Sequence, residues 1–189
     1  MKIGIFGGTF NPIHLGHLLL AETAREALSL DRVVFIPAAA PPHKSSKALL
    51  PGQVRLELIN LAIKGNTAFV ASSIELDREG PSYTIQTIEL LRKQLPQAKL
   101  FLIVGEDMLS VTWRSWKELK KLCTVVVAHR PHAKPSRQAG IRYLPMPQVE
   151  ISSSDIRQRL ASGRSIRYLV TSAVARHIIQ HQLYQKKAS

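Results

Sequence analysis

The 189 residues contain one cysteine. Cys123 lies in the run Leu122-Cys123-Thr124-Val125-Val126, so an intrachain disulfide framework is excluded and the thiol reads as buried and inert rather than nucleophilic. A lone cysteine also fits a reducing cytoplasm, the expected location. No window reaches the ~18 uninterrupted apolar residues that a membrane span needs, so no membrane partner is expected. The opening Met1-Lys2-Ile3-Gly4-Ile5-Phe6 turns to Gly7-Gly8 before the apolar core of a secretory leader could form. Internal repeats and low-complexity blocks are missing as well. Acidic residues are scarce: 13 Asp/Glu face 26 Lys/Arg, a formal net charge of +13. The excess is uneven. Residues 1–116 hold 12 Lys/Arg against 10 Asp/Glu, and residues 117–189 hold 14 against 3. A surface this basic could attract nucleic acid, steer phosphorylated small molecules, or simply keep the protein soluble. No recognition helix, zinc finger or aromatic RNA-binding motif accompanies the charge, so nucleic acid is not the expected partner.

At ~150 residues per domain, the length allows about one domain. Apolar residues make up 45% and charged residues 21%, the balance of a globular chain rather than a disordered one. Lys2–Phe6, Arg32–Pro37, Phe69–Ser72, Leu100–Val104 and Thr124–Ala128 read as short strands. They are apolar throughout instead of alternating, which predicts strands covered on both faces of a parallel sheet. Helical stripes lie between them: Leu18, Leu19, Ala21, Ala24 and Leu28; then Val54, Leu58, Leu61 and Ala62; then Ile85, Ile88, Leu91 and Leu95. Strand–helix alternation predicts an α/β fold with right-handed crossovers, a Rossmann-like open, mainly parallel sheet with helices on both faces.

Beyond Arg130-Pro131, residues 131–140 are polar and rich in Pro, Ser and Gly, the texture of an exposed excursion. A last strand is expected at Ile141–Leu144. A helix follows from Ser152 to Leu160, with Ser153 or Ser154 as its N-cap, and Gly163 ends it. A final helix over Ser172–Gln182 would bury Val174, Ile178 and Ile179. The whole chain, 1–189, is expected to form a single domain. Residues 1–130 would make the core, and the helices of 141–189 would pack at one end.

The residues best placed for chemistry are Gly7-Gly8-Thr9-Phe10-Asn11-Pro12-Ile13-His14-Leu15-Gly16-His17. A strand feeds a glycine-rich turn, and a helix begins near Leu15. In an open parallel sheet, ligands sit beyond the carboxyl ends of the strands, and the N–H groups of a following helix favour phosphate there. Gly7 and Gly8 let a ligand approach the backbone, and Gly16 removes a side chain where the helix would meet one. The spacing matches neither the dinucleotide fingerprint nor a phosphate loop with its Gly-Lys-Ser/Thr. It supplies two histidines instead. His14 and His17 are three apart and share a helical face. No nearby carboxylate or cysteine completes a metal set, so no protein metal site is expected. Phosphate contact is favoured over a chance surface pair.

The run Gly8 to His17 resembles the nucleotidyltransferase superfamily signature G-T-F-D/N-x-x-H-x-G-H. Ile151-Ser152-Ser153-Ser154-Asp155-Ile156-Arg157, about 140 residues further on, resembles its I-S-S-T/S-x-I-R motif. Within that superfamily, Pro41-Pro42-His43-Lys44, Gly80-Pro81-Ser82-Tyr83-Thr84-Ile85-Gln86-Thr87, Gly105-Glu106-Asp107, Trp113 and Arg130-Pro131 are similar to the bacterial nicotinate mononucleotide adenylyltransferases. The resemblance spans Lys2 to about Leu183. The stretch between Gly105 and Trp113 is about two residues shorter than is usual in the family, which leaves the ring-stacking role between Trp113 and Trp116. The distance from Trp113 to Arg130-Pro131 favours Trp113.

The resemblance implies attack of the mononucleotide's 5′-phosphate on the α-phosphorus of ATP, giving nicotinate adenine dinucleotide and pyrophosphate. A phosphate monoester has a second pKa of about 6, so the nucleophile is already a dianion and needs no general base. His14, His17, Lys44 and Arg157 would then stabilise charge and position phosphates. Gly7, Gly8, Thr9, Phe10, His14, His17, Gly105, Asp107, Ile151, Ser153 and Arg157 are implied contacts of ATP. Thr9, Lys44, Tyr83, Thr84, Trp113 and Arg130 are implied contacts of the mononucleotide, with Trp113 stacked on the pyridine ring. Mg²⁺, held mainly by substrate phosphates, is the implied cofactor. A sister transferase acting on phosphopantetheine or another phosphate monoester is the alternative. Whether the chain works as a homo-oligomer stays open.

Overall fold

The computed structural model describes residues 1–40, 49–105, 115–129, 140–147 and 149–185. Its elements, in chain order, are β1 (Lys2–Gly8), α1 (Leu15–Leu28), β2 (Arg32–Pro37), α2 (Gly52–Ile63), β3 (Phe69–Ala71), α3 (Thr84–Gln94), β4 (Lys99–Gly105), α4 (Trp116–Leu122), β5 (Thr124–His129), β6 (Ile141–Pro145), α5 (Ser153–Ala161) and α6 (Ser172–Gln180).

The six strands form one sheet in the order β3-β2-β1-β4-β5-β6, and every pairing is parallel. The continuous apolar runs follow from this. Alternate residues of a strand point to opposite faces, and both faces here are roofed. Phe6, Val33, Phe35, Ile103 and Val126 belong to a core shared with α1, α2, α5 and α6. Ile3, Ile5, Leu100, Leu102, Val125 and Val127 belong to a second core under α3 and α4. The result is a three-layer α/β Rossmann-like architecture, as the strand–helix alternation predicts.

Several local expectations need correction. Helix α2 buries Arg55, Leu56, Leu58, Ile59 and Ile63, whereas Val54, Leu61 and Ala62 are only half-buried. Its covered face is rotated from the expected stripe because α2 meets both the sheet and α6. Helix α4 was not expected at all: it is seven residues long with one buried position, Leu119, too short to print a periodicity. The N-cap of α5 is Ser152, whose Oγ accepts the Asp155 N–H at 3.1 Å, rather than Ser153 or Ser154. Helix α6 buries Val174 and Ile178 but leaves Ile179 exposed, and it ends at Gln180, two residues early, with Gln182 at a left-handed φ of +50°.

Candidate functional site

Strand β1 is where the winding of the sheet reverses. The chain runs from β1 outward through β2 to β3, then crosses over α3 to enter β4 on the other side of β1. That switch point opens a crevice at the carboxyl ends of β1 and β4, between Gly7-Gly8 and Gly105. A Cβ on Gly7 would meet nothing within 4 Å, so the strand end is open to a ligand.

The turn from Gly8 to His14 is built from inside. Phe10, at a left-handed φ of +47°, puts its ring 5.4 Å edge-on from Phe6 and 5.0 Å from the His17 ring. It is 1% exposed, so only its backbone is available to a ligand, which narrows the role expected for it. His14 is the N-cap residue of α1, and its backbone N–H donates to His17 Nδ1 at 3.1 Å. That bond fixes Nδ1 as an acceptor and puts the ring proton of a neutral His17 on Nε2. The two imidazoles stack with centroids 3.6 Å apart. Burial lowers the His14 pKa to about 4, so its ring is neutral near pH 7, and its buried Nδ1 has no hydrogen-bond partner among the described residues.

Gly16 makes room within the protein: a Cβ there would lie 3.1 Å from His14 Nδ1, so the glycine accommodates the imidazole. Two of the first amides of α1 are engaged within the protein. The Leu15 N–H is taken by the Leu169 carbonyl at 2.9 Å and the His17 N–H by the His14 carbonyl at 3.0 Å.

The second half of the site comes from α5. Ser153 Oγ donates to the Pro12 carbonyl at 2.9 Å, and Arg157 Nη1 donates to the Asn11 carbonyl at 2.8 Å. Arg157 Nη2 reaches Ser154 Oγ at 3.2 Å. The N-terminus of α5 is thereby fastened to the histidine turn across more than 140 residues of sequence. Its first-turn amides at Ser153 and Ser154, for which a helix has no internal partner, lie at its positive dipole end. Ile151 approaches the start of α1 beside Gly16.

A third helix start lies beside the end of β2. Ser82 Oγ accepts the N–H groups of Ala39 and Ala40 at 2.8 and 3.3 Å. This places Tyr83, the N-cap of α3, and Thr84, its first residue, near the carboxyl edge of the sheet. Trp116 opens α4 half-buried against the second core, with Lys120 Nζ 5.9 Å from its ring centre. Lys44, Asp107, Trp113 and Arg130 lie outside the described residues. Cys123 is buried, and burial pushes its thiol up to about 12, so it is inert at neutral pH. Among the described residues no three His, Cys, Asp or Glu side chains cluster as a metal set, and no helix is long and apolar enough to cross a membrane.

Arg55 and Tyr184, two residues packed behind the turn, are not singled out by the sequence. Asn11 Oδ1 accepts from Leu50 N–H at 3.2 Å and from the Tyr184 hydroxyl at 2.8 Å. Arg55, 1% exposed, donates to three backbone carbonyls. A charged residue between the apolar Val54 and Leu56 was the available signal for it. Tyr184 gives none, because its partner is remote in sequence.

Residues 5–159 match the cytidylyltransferase-like family model. A Thermus thermophilus protein named "Probable nicotinate-nucleotide adenylyltransferase" is 46% identical over 98% of this chain and 100% of its own length. A Shouchella clausii protein of the same name is 44% identical over 97% and 96%. The structure of Plasmodium falciparum nicotinic acid mononucleotide adenylyltransferase complexed with NaAD superposes with a TM-score of 0.81 over 97% of each chain, at 18% identity; that likeness concerns the fold.

Proposed function

The chain belongs to the cytidylyltransferase-like family, among its nicotinate-nucleotide adenylyltransferases, and we propose that it transfers the adenylyl group of ATP to nicotinate mononucleotide. The products are nicotinate adenine dinucleotide and pyrophosphate, an adenylyl transfer within NAD biosynthesis. A phosphate oxygen of the mononucleotide forms the new bond to the α-phosphorus of ATP, and the bond from that phosphorus to the β-phosphate oxygen breaks. The electron pair leaves on pyrophosphate. The nucleophile is already ionised, so no side chain needs to remove a proton.

One observation carries this reading: Ser153 and Arg157 of α5 close onto Pro12 and Asn11, bringing a guanidinium and a helix N-terminus to the histidine turn. In this arrangement Gly7, Gly8, Thr9 and the Phe10 backbone line the ATP path. His17 donates from Nε2 and the neutral His14 from its ring to the phosphates. Arg157 and the amide of Ser153 receive the β/γ end, where charge builds as pyrophosphate departs. Gly105, Asp107 and Ile151 border the adenosine. Tyr83, Thr84 and the first amides of α3 meet the nicotinate carboxylate, which favours the acid over its amide. Trp113 stacks on the pyridine ring, since Trp116 is already engaged with its own core. Lys44 and Arg130 serve the mononucleotide phosphate.

Among the described residues no cluster of His, Cys, Asp or Glu side chains would hold a resident divalent ion. Mg²⁺ would arrive with ATP, held mainly by the substrate phosphates, and would supply charge neutralisation there. We read residues 1–189 as one catalytic domain working in the cytoplasm, with ATP and nicotinate mononucleotide as its partners.

Pyrophosphate release with ATP and either nicotinate mononucleotide, nicotinamide mononucleotide or phosphopantetheine tests the proposal. Turnover is expected with the first and much less with the second. Turnover with phosphopantetheine alone would overturn the substrate assignment.

A further inference from the structure

We infer that Arg55 and Tyr184 are positioning residues: together they form a buried strut that holds Asn11 and the Thr9 carbonyl, and so keeps the phosphate turn in register with His14, His17 and Arg157. The inference rests on the ATP-binding reading of that turn.

The guanidinium of Arg55 is one of the most enclosed groups in the protein. Nε donates to the Leu50 carbonyl at 2.9 Å, Nη1 to Thr9 at 2.8 Å and Nη2 to Ala38 at 2.7 Å. These carbonyls belong to three separate segments: the phosphate turn, the exit of β2 and the approach to α2. Among the described residues no carboxylate pairs with it, and burial pulls its pKa below the ordinary arginine value. An uncompensated buried charge is costly, and a well-packed apolar side chain would often serve stability better. The planar fork does what no apolar residue or lysine can: it ties three carbonyls at fixed angles.

Tyr184 completes the strut from the opposite side. Its hydroxyl donates to Asn11 Oδ1 at 2.8 Å, the same oxygen that accepts the Leu50 N–H. The backbone carbonyl of that asparagine accepts from Arg157 Nη1. Asn11 is therefore the common member of both links, with Tyr184 and Leu50 on its side chain and Arg157 on its backbone. Gln182 and Tyr184 both adopt left-handed φ values, +50° and +63°, an unfavourable backbone for non-glycine residues. The turn after α6 sustains it while the phenol points inward. Burial raises the Tyr184 pKa against the opposing pull of Arg157 and Arg55, so the hydroxyl stays a donor across the working range.

The test is Tyr184→Phe, which keeps the ring and deletes only the donor. ATP affinity, read by titration calorimetry, is expected to fall about fivefold, the scale of one neutral hydrogen bond. The thermal midpoint should stay close to wild type. In an Asn11→Ala background the same substitution should change ATP affinity no further, because the link is already cut. Arg55→Lys should weaken ATP binding in the same direction. Unchanged ATP affinity in Tyr184→Phe, or effects of Asn11→Ala and Tyr184→Phe that simply add, would overturn the strut. Wild-type protein that binds ATP but consumes no nicotinate mononucleotide would overturn the acceptor assignment alone, leaving the strut to be decided by ATP affinity.

Discussion

The backbone N–H of His14 donates to Nδ1 of His17 at 3.1 Å while the two rings stack at 3.6 Å. The second histidine therefore has two separable functions, closing the helix start and presenting Nε2. His17→Gln separates them, since glutamine at this third helical position can still accept the N-cap N–H. Turnover is expected to fall about 10²–10³-fold, the scale of a lost charge-stabilising donor, with little change in thermal midpoint. His17→Ala should show the same kinetic loss and cost about 1 kcal/mol of stability as well. Near-normal turnover in either variant removes His17 from the phosphate site.

His14 makes stability depend on pH. Its folded pKa of about 4 lies below the ordinary histidine value of 6.5, so between those values the unfolded chain binds more protons than the native one. Stability then rises with pH through that window. The contribution is complete above about 6.5 and declines as pH falls toward 4, by at most about 3 kcal/mol. Denaturant melts of wild type and His14→Asn across that range check the sign. A wild-type curve no steeper than the variant's would refute the buried neutral imidazole.

Bound ATP should reverse part of that depression, because a polyanion beside His14 favours the protonated ring. Titrations near pH 5 in buffers of different ionisation enthalpy are expected to show proton uptake on ATP binding. His14→Asn should lose that uptake.

Arg157→Lys retains the charge but not the pair of contacts to Asn11 and Ser154. The loss of the fork is expected to lower kcat/KM for ATP by about tenfold or more. A lysine variant with wild-type kinetics would reduce Arg157 to a diffuse positive charge.

The tryptophans should separate by type of effect. Trp113→Ala is expected to raise KM for the mononucleotide more than KM for ATP. Trp116→Ala, which removes a half-buried ring from the second core, should chiefly lower the thermal midpoint. The opposite pattern would transfer the stacking role to Trp116.

Much of this protein is legible in its sequence, for identifiable reasons. Strands roofed on both faces are apolar at successive positions past their first residue, so Lys2–Phe6 and Thr124–Ala128 declare a parallel sheet. Glycines at the exit of the first strand and histidines three apart point to the turn proposed to bind phosphate, since chain geometry and chemistry coincide there within ten residues. Ile151 to Arg157 marks a second site element in the same way, by local composition. Helix α4 is silent because seven residues with one buried position leave no period to read.

Only tertiary structure could show that Gly16 makes room for an imidazole, that Leu15 donates its N–H to Leu169, and that α5 closes on Pro12 and Asn11. The same holds for the burial that keeps His14 neutral, and for the meeting of Arg55, Asn11 and Tyr184 behind the turn. Each is a contact between segments far apart in the chain or a consequence of solvent exclusion. Neither leaves a local pattern in the amino-acid order, because hydrogen-bond geometry and desolvation are properties of the assembled pocket.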